Sequence, residues 1–152
     1  MHYILSRQQW IPASLEHVFA FFEKPENLAR ITPRWLNFQI TTPSPIHMAQ
    51  GTEIEYTIAW LGFPVRWHTQ ITKYDPPSCF IDEQIKGPYR TWIHVHMFEE
   101  KDDGVLMTDR VTYKLPFGPL GRLMHMSLIG KQLDEIFNYR RNVIDKIFNE
   151  QK

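Results

Sequence analysis

Disulfides, a surplus of either charge and a membrane-length apolar run are all missing from this chain, and each absence removes a class of protein. The lone Cys79 excludes an intrachain disulfide, and a reduced thiol fits an intracellular setting best. Seventeen basic residues balance 17 acidic ones, which argues against nucleic acid or an anionic membrane as the main partner. No stretch approaches the roughly 20 apolar residues of a bilayer span, and the phenylalanine-rich Val18 to Phe22 is far too short. Met1 to Arg7 lacks the basic segment and long apolar run of a signal peptide. The expectation is a soluble, cytoplasmic protein. Its 152 residues suffice for one domain, 1–152, with a sizeable core, and are too few for two ordinary ones.

What the chain does have is aromatic side chains, 14% of its residues, and one unusual strand. Trp92, His94, His96 and Phe98 recur at period two, so they project from one face of an extended segment. A dry core would favour Val, Ile and Leu there. Two imidazoles between two large aromatics read instead as the wall of a pocket with a polar floor. Because imidazole is costly to bury unpaired, partners are needed, and Glu83, Asp109 and Tyr113 are the nearest candidates in sequence.

Around that strand the pattern predicts a continuous order of elements. Tyr3 to Trp10 suits a first strand, which Pro12 stops. Ser14 caps a short helix with Leu15, Val18, Phe19 and Phe22 inside, and Pro25 leads into a second, Glu26 to Ile31, closed by Pro33. Leu36 to Thr41 reads as a strand. A hairpin at Leu61-Gly62 pairs Trp60 with Phe63, Ile58 with Val65, Tyr56 with Trp67 and Ile54 with Thr69, leaving Glu53, Glu55, Arg66 and His68 on the wet side. For residues 80–85 two facings are open, depending on the length of the Gly87-Pro88 loop. The preferred one turns Ile81, Glu83 and Ile85 inward, and the other Phe80, Asp82 and Gln84. After the Asp102-Asp103-Gly104 turn, a last strand carries Met107, Asp109, Val111 and Tyr113 on one face, with His96 beside Asp109. From Leu120 to about Asn149, Met126, Ile129, Leu133, Ile136, Phe137, Arg140, Ile144 and Phe148 recur at helical spacing. The fold class is therefore α+β: a curved seven-stranded antiparallel sheet, two short helices after the first strand, and a long C-terminal helix across the sheet.

The segments Phe19 to Pro33, Gly51, Pro64 to Trp67, Asp82 to Tyr89, Trp92 to Phe98 (WIHVHMF) and Asp109 to Gly118 (DRVTYKLPFG) resemble a bacterial group of ligand-binding SRPBCC proteins related to polyketide cyclases. The superfamily also includes START domains and the birch-pollen allergens. The resemblance spans nearly the whole chain. It implies a helix-grip fold with a hydrophobic cavity between sheet and C-terminal helix. It fixes no reaction, because a fold of this kind serves carriers, sensors and enzymes.

The residues themselves give the candidate site. Tyr56, Trp67, Trp92 and Phe98 offer flat apolar surface, Met126 and Leu133 the helix side, and Glu83, His94, His96, Asp109 and Tyr113 a polar floor able to orient a hydroxyl, carbonyl or carboxylate. The leading expectation is a cavity for a small hydrophobic ligand with one polar group, and no cofactor. An alternative is a cyclase or dehydratase in which Asp109 polarises His96 as general base, with Tyr113 or Glu83 as proton donor. His-x-His with a carboxylate across the ladder is also a permitted metal shell, although such sets arise often by chance, and no metal is expected. A protein-interaction module using Ser14 to Ile31 and the Trp35 loop is a third reading. Gly118, Gly121 and Gly130 suggest a hinged entrance or simply a helix start.

Overall fold

The computed structural model describes residues 1–150. Its strands are β1 (Tyr3–Ile11), β2 (Gln39–Ile40), β3 (Glu53–Trp60), β4 (Phe63–Asp75), β5 (Cys79–Lys86), β6 (Thr91–Lys101) and β7 (Gly104–Lys114). They form one antiparallel sheet in the order β1-β7-β6-β5-β4-β3-β2. Helix α1 (Leu15–Phe22) and a 3-10 helix (Pro25–Ile31) follow β1, with Ser14 Oγ accepting from His17 N at the cap. The long C-terminal helix consists of α2 (Gly118–Met124), a π-helical turn (His125–Ile129) and α3 (Gly130–Asn149). This is the helix-grip architecture expected from the sequence.

The strand registers follow from alternation. Tyr56 opposes Trp67 and Ile58 opposes Val65 in the β3–β4 hairpin, as the apolar pattern requires. Irregular registers between His68 and Thr69 and between Ile71 and Lys73 bend β4 against β5, and such bulges increase local twist. The curved sheet and helix enclose two apolar clusters. One gathers Trp67, Tyr89, Val111, Ile129, Leu133 and Phe137; the other gathers Ile11, Phe19, Phe80, Phe98, Val105 and Ile144.

Four expectations change. The strand predicted over Leu36 to Thr41 is only Gln39–Ile40, because Arg34–Leu36 forms a 3-10 turn that Asn37 ends in a left-handed conformation. Residues 80–85 take the facing that was not preferred. Asp82 opposes His94 and Phe80 opposes His96, so Phe80 and Asp82 point inward while Ile85 is exposed. The side chain of Gln84 brackets the following turn, donating to Tyr89 O at 2.6 Å and accepting from Tyr89 N at 3.2 Å, which sets the loop length. Two isoleucines were a weaker guide than this ladder.

The long helix begins at Gly118 rather than Leu120, and its first half is out of phase with its second. In the π turn Gly130 N bonds to His125 O, five residues back. That inserts about one extra residue and rotates everything before it. Met126 consequently faces outward at 76% exposure, while His125 turns in and stacks on Tyr3 at 3.6 Å. Gly121 is the residue that lets α2 start so close to β7, since a Cβ there would strike the Pro116 carbonyl oxygen. Gly121→Ala should therefore lower stability by about 2 kcal/mol, against less than about 0.5 for the exposed Ser127→Ala, in a denaturant titration.

Candidate functional site

Three neighbouring strands, β5, β6 and β7, bring two aspartates and two histidines to one spot on the inner face. His94 Nε2 donates to Asp109 Oδ1 at 2.9 Å, and His96 Nε2 donates to Asp82 Oδ2 at 2.8 Å. Each imidazole also lies near the other carboxylate: His96 Nδ1 is 3.2 Å from Asp109 Oδ1, out of line for a hydrogen bond, and His94 Nδ1 is 3.7 Å from Asp82 Oδ2. The two rings sit 3.7 Å apart, and Phe80 covers His96 at 4.1 Å. His94, His96 and Asp109 are all buried.

Burial alone would push both carboxyls up, yet both end below the ordinary carboxylate range, because imidazole hydrogen bonds and charges outweigh desolvation. The histidines split. Burial and the charge of His96 hold His94 below its usual value, with Asp109 opposing. Burial also pushes His96 down, but its two carboxylate neighbours prevail and raise it. Where the pair holds a single proton, His96 is the imidazolium and His94 the neutral imidazole. Arg140, buried on α3 and felt electrostatically by Asp82, supplies a second positive charge. Two carboxylates, one imidazolium and one guanidinium make the group neutral, which is the condition for hiding it from water.

Above this floor lies a cavity of about 170 Å³. Tyr56, Ile58 and Trp67 form one side, Trp92 with His94, His96 and Asp82 the floor, and Leu133, Ile136 and Phe137 of α3 the roof. Among the described residues, besides His96 Nδ1, three buried donors in its walls have no hydrogen-bond acceptor: Trp60 Nε1, Trp67 Nε1 and Arg140 Nε. The Tyr89 hydroxyl is close enough to Trp60 to be influenced by it, whereas the other two face no such partner. An unsatisfied buried donor is costly and rare.

Of the residues singled out from sequence, Tyr56, Trp67, Trp92, His94, His96 and Leu133 line the cavity. Asp109 sits behind the histidines and orients them. Phe98 packs in the second apolar cluster with Phe19 and Phe22. Tyr113 bonds His125 Nε2 at 2.8 Å instead of joining the floor. Glu83 belongs to the opposite face, accepting from Thr72 Oγ1 at 3.0 Å, and Met126 is in solvent. The pairing is also exchanged: Asp109 opposes His96 in the ladder, yet its hydrogen bond goes to His94. Asp82 and Arg140 were missed. Arg140 had a signal, a charge within the apolar stripe Ile136, Phe137, Ile144; Asp82 was assigned to the wrong face.

Asp82, His94 and His96 place one ligand atom each within 4.8 Å of one another, a spacing a divalent metal could bridge. Such an ion would have to displace the proton that His96 now gives to Asp82.

The match with a protein family spans residues 11–137 and is described as polyketide cyclase / dehydrase and lipid transport. The chain belongs to this family, within the SRPBCC superfamily. No curated protein sequence matches it. Similar solved structures include TTHA0849 from Thermus thermophilus, at 15% identity and TM-score 0.72, covering 99% of both chains. Protein Ms6760 from Mycobacterium smegmatis has 15% identity and TM-score 0.68 over 98% of this chain and 92% of its own. Major latex-like protein 151 from Panax ginseng has 13% identity and TM-score 0.66 over 97% of each. At these identities the likeness is one of fold.

The lowered aspartates stabilise the fold fully above the carboxylate range and lose that contribution as pH falls through their folded values, whereas the raised His96 contributes below about pH 6.5 and loses it as pH rises. NMR titration of the imidazoles should place His94 below and His96 above about 6.5. Asp109→Asn should cost about 3 kcal/mol at neutral pH by denaturant titration and flatten the acid limb of the stability profile. Two superimposable histidine titrations would contradict the split.

Proposed function

We propose that the protein reversibly binds a small hydrophobic molecule carrying a hydrogen-bond acceptor, as a carrier or sensor. The observation that supports this most directly is the pair of unpartnered donors, Trp67 Nε1 and Arg140 Nε, in the wall of an otherwise aromatic cavity. Apolar walls supply affinity for a flat or compact guest, and the cavity is comparable with the roughly 150 Å³ apolar void that admits benzene. A neutral acceptor oxygen such as a carbonyl offers these donors the partner they lack without adding charge to the floor. A water molecule would do so less well among rings that offer it few further partners. Membership of a family that includes lipid transport agrees with such a role.

A second reading, cyclase or dehydratase chemistry, is favoured by the divided histidine pair. His96 carries a proton to give and His94 has a bare Nδ1 to take one, side by side on the cavity floor. In that scheme Asp82 and Asp109 hold the imidazoles in place, and Arg140 steadies a developing oxyanion. Turnover of an aldol-type polyketide substrate that is lost in His96→Ala while binding persists would favour it over a pure carrier.

For binding itself, acetophenone is a suitable probe, with one ring and an acceptor-only carbonyl head. Wild type should bind it at one site. Ile136→Trp, which fills the cavity from the roof, and Arg140→Met, which removes the donor at similar length, should each weaken it about tenfold. Thermal melts check that both variants fold. Equal affinity in all three proteins would overturn the proposal, and native mass spectrometry of protein from its own host would identify a retained ligand.

A further inference from the structure

We propose that the segment from Phe117 to Leu128 is a docking surface for an anionic lipid bilayer. Its apolar side chains point away from the core: Phe117, Leu120, Leu123 and Met126 are 68%, 58%, 63% and 76% exposed, with Leu128 at 43%. The cause is the π turn. By shifting helical phase between Met124 and Gly130 it commits Gly121 and Ile129 to the core, turns His125 onto Tyr3 and sends the larger apolar residues outward. Five such residues on one short helical stretch exceed the scattered exposure expected of a solvated surface.

The charges beside them are of one sign. Residues 111–133 and 84–98 contain no aspartate or glutamate. They contribute Lys86, Arg90, Lys114, Arg122 and Lys131, and the hydrogen bond from Arg90 N to Lys114 O brings the two segments together at one end of the sheet. Among the described residues none of these five cations is in a salt bridge. Asp134, the first acid beyond, is taken by Arg7. The acids gather elsewhere, with Glu99, Glu100, Asp102 and Asp103 at the other end of the β6–β7 hairpin. Overall neutrality therefore conceals a basic, apolar end. The sequence-based exclusion of an anionic membrane applied to the average and not to this surface.

This combination favours lipid over other occupants. Two copies of the patch brought together across a two-fold axis would face like charges, which opposes a homodimer. Apolar side chains among unpaired lysine and arginine suit the headgroup boundary of an anionic leaflet, where the chains enter the acyl edge and the cations meet phosphates. No helix is long and apolar enough to cross a membrane, so the segment would lie on the surface. One turn further along the same helix, Gln132, Leu133 and Ile136 line the cavity. Docking would thus set the cavity roof beside the bilayer, from which an acceptor-bearing hydrophobic guest partitions directly; this last link rests on the binding role proposed above.

The test is co-sedimentation of the full chain with vesicles of phosphatidylcholine alone or with about a third phosphatidylglycerol. The expected result is binding to the mixed vesicles, weakened by salt, and little to the neutral ones. The double variant Leu120→Asp/Leu123→Asp should lose about tenfold in partitioning, Arg122→Glu several-fold, and Met97→Asp, exposed on β6 towards the other end of the sheet, nothing. All are surface changes whose folding a thermal melt confirms. Ile136→Trp should bind vesicles normally, so failure of the cavity reading and failure of this one are distinguishable. No binding by wild type, or equal binding by the double variant, would overturn the proposal. Concentration-dependent self-association that the double variant abolishes would instead assign the patch to a second copy of the chain.

Discussion

Charge neutrality inside the sheet is the constraint on which the rest of this structure depends. Two carboxylates and two imidazoles share one small area of the inner face, and the carboxylates stay ionised because His96 holds a proton and Arg140 stands near Asp82. Removing Asp82, Asp109, His96 or Arg140 leaves a buried charge without compensation. A core built for stability alone has simpler solutions, since apolar residues of similar volume commonly replace such groups without loss. Perturbed titratable groups facing a cavity are more characteristic of a site that handles protons or polar ligand atoms.

The cavity follows from shape. A strongly bent antiparallel sheet cannot be filled by one straight helix, and the bulges in β4 increase that bend. Large rings then close the gap from the sides: Trp67 packs edge-on to Trp92 at 5.2 Å and beside Tyr56 at 5.7 Å. Rings pack with gaps that aliphatic chains would fill, and here their donors are left over as well. The π turn adds a second consequence of imperfect closure. It lets His125 reach Tyr113 and Tyr3 at the edge of the sheet while expelling the apolar face of α2.

Much of this was legible in the sequence. Period two at Trp92 to Phe98 announced a polar inner wall, the Leu61-Gly62 hairpin fixed its own register, and the helical stripe from Ile129 to Phe148 identified the cover. What escaped depended on individual hydrogen bonds between residues five apart, which hydrophobic alternation does not show. The facing of β5 was decided by Gln84 clasping the Tyr89 backbone, which no alternation of Ile81 and Ile85 reveals. Met126 fitted a perfect 3.6-residue repeat, and one π turn broke that repeat. Glu83 was chosen over Asp82 for the same reason that Ile85 was placed inside, a parity error in one loop.

The central claim is that the aromatic cavity receives an acceptor oxygen at Trp67 and Arg140, above the neutralised histidine floor. A high-resolution crystal structure of the protein soaked with a small aromatic ketone tests it most directly. The account predicts the guest between sheet and α3, with its carbonyl oxygen in hydrogen-bonding contact with Arg140 Nε or Trp67 Nε1. A cavity collapsed onto its own side chains, with both donors satisfied by the protein and the ketone absent or bound outside, would contradict it.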